Sequence, residues 1–308
     1  MRHVLTAVAI LISVATTAQK KDTLIRYFNA ELEPVKKKEA VFVGVAVKDP
    51  FGWNAIIYND SMKVIMRGKY ENDDCTVKDG WFIYYNNKGE RYLAGKYTKN
   101  QRTDLWQTWY PSGQPKDSIY FANDMPQGPC RRYFASGTLE SSGFFKNSQL
   151  DSTWIWHHEN GQVATKELYR GGRVHQLECF DSTGLSLGMN CALNRPPAIK
   201  GIYGGVEKYL TDSIRNPSKA PLDEMRSVAV EFIVYKSGSL SVPQILRSED
   251  SLLEKEVVRA IRSISAWYPA VSHNRNIDHT FNLLITLLPD NQGVMVQDNR
   301  NQFLKMTY

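Results

Sequence analysis

Little in this chain of 308 residues offers itself to chemistry. Six histidines are thinly spread, and Gly-x-Ser-x-Gly, His-Glu-x-x-His and P-loop patterns are all missing. Neither a nucleophile elbow nor a zinc-protease or nucleotide site is therefore readable. The expectation is a protein that is not an enzyme, with no catalytic residue, cofactor, metal or small-molecule substrate. Four cysteines form no Cys-x-x-Cys pair, which excludes thioredoxin-like and zinc-ribbon readings. Cys179 and Cys191 are close enough in sequence to pair, although a chain of this length does not require a disulfide. Thirteen prolines are scattered and build no spacer. Basic charge is in small excess, 38 Lys and Arg against 32 Asp and Glu, and its longest run is Lys36-Lys37-Lys38. A nucleic-acid surface needs a stripe or patch of Lys and Arg, so no nucleic-acid partner is expected.

Long apolar runs are also lacking. Val4 to Ala15 is the longest, short of the roughly 20 residues that span a bilayer. Arg2 and His3 precede it, and the small residues Ala15 to Ala18 follow. This is the anatomy of a secretory signal peptide over residues 1–18, and it implies export to the periplasm, with membrane association as the alternative if the segment is retained.

What the sequence does have is repetition. Gly89, Gly113, Gly137 and Gly161 recur every 24 residues, with Gly184 one residue early. Aromatics keep the same beat at Tyr97, Phe121, Phe145 and Tyr169. Two further tracks run Tyr85, Tyr110, Phe134, His158 and Trp81, Trp106, Cys130, Trp154. Each unit reads as an aromatic-rich strand, a turn with Gly, a second strand and a polar link. One hairpin is barely stable in water, so the units must join into a continuous sheet. His157-His158 occupy slots filled by Trp109-Tyr110 and Tyr133-Phe134 in neighbouring units. Adjacent strand residues face opposite sides, which argues for a structural pair and not a metal site. Cys130, in a tryptophan slot, reads as a buried and inert thiol.

Glu159-Asn160-Gly161 and Gly143-Phe144-Phe145 resemble the MORN-type repeat, in the variant of bacterial proteins labelled YwqK-like antitoxins. Ile119 and Glu167 stand where Gly95 and Gly143 stand in their own units. The resemblance implies a β-hairpin array, residues 19–190, and a binding face.

After Asn194-Arg195-Pro196-Pro197 the pattern changes. Val206, Tyr209, Leu210 and Ile214 have helical spacing, and Val228, Val230, Phe232 and Val234 alternate as a half-buried strand. A strand with Leu240, Val242 and Ile245 follows. A helix with Leu253, Val257, Ile261 and Ile264 comes next, capped by Ser251 with Glu254 or by Asp250. The strand Ile277 to Leu287 closes the series. The overall fold class is α+β: an antiparallel hairpin array, then a small domain of helix, two strands, helix and strand. Residues 291–308 form a polar tail without an assignable role.

Gly204-Gly205, Pro217, Arg247-Ser248 and Trp267-x-Pro269-Ala270 resemble the TonB C-terminal domain family over residues 196–290. Arg226, Asn216 and Ser265 depart from its usual Gly, Tyr and Pro, and His273-Asn274-Arg275 lacks its turn glycine. A short apolar run and no Pro-rich spacer argue against direct energy transduction. The resemblance implies that a partner's extended segment pairs with the final strand, which makes Ile277, Asp278, His279, Thr280, Asn282, Leu284 and Thr286 the candidate partner-binding edge. Candidate partners are an envelope or outer-membrane protein of the TonB-dependent receptor kind, or peptidoglycan. The alternative is a scaffold that acts through the MORN-like repeat face.

Overall fold

Strand-forming aromatics between turn residues give two strands per repeat, and the computed structural model arranges them in chain order. It describes residues 22–218, 222–248, 250–289 and 292–298, so the signal-peptide segment and the end of the tail lie outside the described residues. Contacts divide the chain into two units, Met1–Met189 and Asn190–Tyr308.

The first unit begins with β1 (Thr23–Phe28), β2 (Phe42–Asp49), β3 (Gly52–Tyr58), β4 (Val64–Tyr70) and β5 (Lys78–Tyr85). It continues with β6 (Arg91–Thr98), β7 (Gln101–Trp109), β8 (Pro115–Ala122), β9 (Met125–Tyr133) and β10 (Leu139–Lys146). The last four strands are β11 (Gln149–His157), β12 (Val163–Arg170), β13 (Arg173–Phe180) and β14 (Ser186–Gly188). All fourteen lie in one sheet, each beside its chain neighbours.

Two kinds of turn alternate along this array. Gly89, Gly113, Gly137, Gly161 and Gly184 take φ between 84° and 91°, as the tip of the first kind requires. The stretches that read only as polar links are two-residue hairpin turns. Lys99-Asn100, Asn123-Asp124, Asn147-Ser148 and Gly171-Gly172 have positive φ at both residues, the condition of a type I′ turn. A third positive-φ position recurs at Gly80, Asp104, Gly128 and Ser152, near breaks in the strand register.

One face of the sheet is a ladder of rings that bury one another. Phe82 and Tyr97 are 5.1 Å apart, Tyr97 and Trp106 4.9 Å, and Phe145 and Trp154 5.1 Å. Trp106 lies across Gly95 and Trp154 across Gly143. A Cβ on either glycine would sit 2.1 Å from the indole. Each indole N–H donates at 3.1 Å to the carbonyl of the residue after its glycine, Lys96 or Phe144. Where the glycine slot holds Ile119, the ring opposite is reduced to Cys130, and where it holds Glu167 the residue opposite is Leu177. The departures from the repeat are therefore volume exchanges between neighbouring strands. Cys130 is buried, and burial pushes its thiol up to about 11. Cys75 is likewise a buried free thiol, while Cys179 and Cys191 are disulfide-bonded.

The tracks need one correction. Phe82, not Trp81, shares the buried slot of Trp106, and Trp81 is exposed on the other face. Likewise Asn86, not Tyr85, opens the turn that Tyr110, Phe134 and His158 open in later units. Asn86 bonds its own turn through Oδ1, whereas Tyr110 donates to the Tyr133 carbonyl at 2.8 Å. His158 Nε2 lies 3.1 Å from the Phe180 carbonyl and does the same work, joining its turn to the next hairpin.

The second unit contains a four-stranded sheet in the order β18 (Gln244–Ser248), β17 (Arg226–Val234), β22 (His279–Leu287), β23 (Val294–Asp298). Helices α1 (Gly205–Ser213) and α2 (Ser251–Arg262) cover one side. Val228, Val230, Phe232, Phe281, Leu283 and Ile285 meet Leu210, Leu253, Val257 and Ile261 in one buried core. Short strands β15 (Asn194–Arg195), β16 (Ala198–Ile199), β19 (Trp267–Tyr268), β20 (Ala270–Ser272) and β21 (Arg275–Ile277) complete the unit. His273-Asn274 forms its turn with positive φ at both residues, so no glycine is needed there.

Asp250, not Ser251, caps α2: its Oδ1 accepts from the N–H groups of Leu252 at 2.9 Å and Leu253 at 3.0 Å. A hydrogen bond from the Arg226 guanidinium, then those N–H groups, hold this carboxyl below its ordinary 3.8. A carboxylate favoured by folding stabilises the protein above its unfolded pKa, and that contribution is lost as pH falls through the lowered folded value. Asp250→Ala is expected to cost about 1 kcal/mol at neutral pH and Asp250→Asn less. In thermal melts the gap between wild type and Asp250→Ala should close as pH is lowered below 3.8.

Candidate binding face

Most of the expected binding edge of the second unit is already paired. Ile277 belongs to β21, and Asp278 sits at the joint, where its Oδ1 accepts the Lys236 N–H at 2.7 Å. His279, Thr280, Asn282, Leu284 and Thr286 lie on β22, which pairs with β17 along its whole length. On its other side Leu283 to Leu287 pair with Val294 to Asp298. The physical reason is the tail: Val294 and Val296 pack against the core, so this segment forms β23 and covers most of the edge. Thr286 does not face outward. It is buried, with Oγ1 2.9 Å from Ser227 Oγ. The outer strands among the described residues are β18 and β23.

A groove of about 590 Å³ lies beside β18 and includes Met225, Arg226, Arg247, Asp250 and Leu284. Its best-placed charges already serve the fold, because Arg226 pairs with Asp250 at 2.9 Å and Asp250 caps α2.

The repeat array offers more. Alternation sends every second residue of a strand to the face opposite the ring ladder. There, strand pairing lines up Ile83, Ala94, Gln107, Ser118, Arg131, Ser142, Ile155 and Lys166 in one row across eight strands. Two residues along each strand lies a second, mainly apolar set of cross-strand pairs, separated by the register shifts at Ala94/Lys96 and Ile119/Phe121. Trp81 pairs with Lys96, Leu105 with Tyr120, and Pro129 with Phe144. Trp81 is 58% exposed, Tyr120 41% and Phe144 37%, so this stripe is open to solvent although its residues are large and apolar. Across β7, β8 and β9 the two rows bound a groove of about 390 Å³ that includes Leu105, Gln107, Ser118, Tyr120, Arg131 and Tyr133. Arg131 is exposed at its floor. Its neighbour Arg132, on the ring face, faces Asp117 at 3.5 Å, whereas no described carboxylate forms an ion pair with Arg131.

Among the described residues no three of His, Cys, Asp and Glu gather as a metal site, and no helix is long and apolar enough to cross a membrane. The stripe was hidden in the sequence because its members sit beside more regular core aromatics. Tyr120 precedes Phe121 and Phe144 precedes Phe145, so doublets with a 24-residue period are the signal that finds it.

A family model described as a MORN repeat variant matches residues 126–147, which cover nearly all of β9, the following turn and β10. This agrees with the hairpin array, and the matched segment carries Pro129, Arg131 and Phe144 of the exposed face. No curated protein matches the chain.

Proposed function

We propose that this is an exported, non-catalytic binding protein of the cell envelope that works through the exposed face of its strand array. The observation that carries the reading is the solvent-exposed stripe of Trp81, Tyr120 and Phe144 beside a polar row. Large apolar side chains left in water along one line are the mark of an interaction surface. The reading includes removal of residues 1–18 as a signal peptide and a periplasmic destination, supported by the short apolar run with its charged start and small-residue end.

The competing reading makes residues 196–290 a TonB C-terminal-like domain whose outer strand, and not the array, takes up a segment of an outer-membrane transporter or another envelope protein. The succession of helix, two strands, helix and strand supports it. Because Leu283 to Leu287 are already paired, strand addition would use an outer strand, β18 or β23.

The test compares capture of envelope components by full-length wild type, by a Tyr120→Ala/Phe144→Ala double variant and by Leu246→Pro on β18. Leu246 falls at a break in pairing with β17, so proline there removes an edge donor and spares the ladder. The double variant is expected to lose capture at least about tenfold and Leu246→Pro to keep it. The reverse pattern would move the function to the second unit.

A further inference from the structure

We infer that the occupant of the exposed face is a linear 1,4-linked amino-sugar chain whose stem peptides bear carboxylates, the glycan strand of peptidoglycan, lying across the strands. This inference rests on the face being the working surface. Three features of the face select the ligand. The first is period. Tyr120 and Phe144 each lie two residues beyond the same row of the ladder, on β8 and β10. They are therefore separated by two strand spacings, about 9.6 Å. Two 1,4-linked pyranose rings cover that distance, so Tyr120 and Phe144 would meet the same position of successive disaccharides.

The second is amphipathicity. A pyranose has apolar faces of C–H bonds and an equatorial rim of hydroxyl and amide groups. The stripe of exposed rings suits the faces. The parallel row with Gln107, Ser118, Arg131 and Ser142 suits the rim, offering amide, hydroxyl and guanidinium groups. The backbone groups of these strands are already used in the sheet, so an extended peptide would gain no ladder hydrogen bonds here.

The third is charge. Arg131 is an exposed cation with no described ion-pair partner, midway between Tyr120 and Phe144 in strand order. A planar guanidinium there matches a carboxylate of the stem peptide carried by the disaccharide that spans Tyr120 and Phe144. A lipid surface would favour a cluster of cations, and this groove contains one.

The experiment is co-sedimentation of the full-length mature protein with purified peptidoglycan sacculi, over a range of salt. The wild type is expected to pellet. Tyr120→Ala and Phe144→Ala should each weaken binding about tenfold. Arg131→Gln should weaken it about tenfold and flatten its salt dependence. All three positions are exposed, and matched melting curves confirm that the variants fold. Wild type that stays in the supernatant, or pelleting that these variants leave unchanged, overturns the glycan assignment. A photoreactive group at position 120 separates the two readings. If it attaches to an envelope protein while sacculi fail to pellet the chain, the glycan is wrong and the face still works. If neither occurs, both readings fall.

Discussion

Replacing Gly143 by Ile is expected to cost about 3–5 kcal/mol, because Trp154 must leave its place and forfeit its burial. The added Cβ alone would stand 2.1 Å from the indole, and Trp154 is only 1% exposed. Trp154→Cys alone is expected to cost a similar amount by leaving a cavity where the ring lay. The chain already contains the repair, since Ile119 opposite Cys130 fills the same pair of slots one repeat earlier. The double variant Gly143→Ile/Trp154→Cys should therefore be more stable than either single variant, with a coupling of about 2 kcal/mol. Calorimetric melts of the four proteins measure this. Additive losses would show that the exchange of volume between strands is not what fits Ile119 into the array.

Removing the carboxylate of Glu167 should have the second largest effect. Glu167 is fully buried in a slot where other repeats place glycine. Its Oε1 accepts from Thr165 Oγ1 and its Oε2 from the Tyr169 hydroxyl, both at 2.6 Å. Burial raises the Tyr169 hydroxyl's pKa, as do its hydrogen bond to Glu167 and the nearby carboxylate, so the phenol stays protonated and remains a donor. Glu167→Ala takes the acceptor away from two buried hydroxyls and is expected to cost about 3 kcal/mol. Glu167→Gln keeps one acceptor and should cost less. Chemical denaturation followed by circular dichroism gives both values, and an Ala variant as stable as the wild type would mean that these bonds are replaced by water at no loss.

The hairpin array was legible in the sequence because its turns demand particular residues. Positive φ at Gly89, Gly113, Gly137 and Gly161 leaves a glycine at a fixed interval. The type I′ turns were harder to read, since Lys99-Asn100 and Asn147-Ser148 reach positive φ without glycine. The faces of adjacent aromatics were not legible. Each bulge shifts register by one residue, and Trp81-Phe82 reads equally well in either orientation until pairing fixes Phe82 inside. The edge at Ile277 to Leu287 failed for a different reason. Val294 and Val296 are an apolar pair in a polar tail, too short to announce a strand, and they become one only by packing on a core built from distant segments.

The claim that matters most is that the exposed stripe, and not an outer strand of the second unit, touches the partner. A photoreactive residue placed at position 120 of the full chain, with parallel placements at Leu246 on β18 and Met295 on β23, tests it in intact envelopes. The account predicts an adduct from position 120 that disappears with Phe144→Ala. Adducts from 246 or 295 with none from 120 would contradict it.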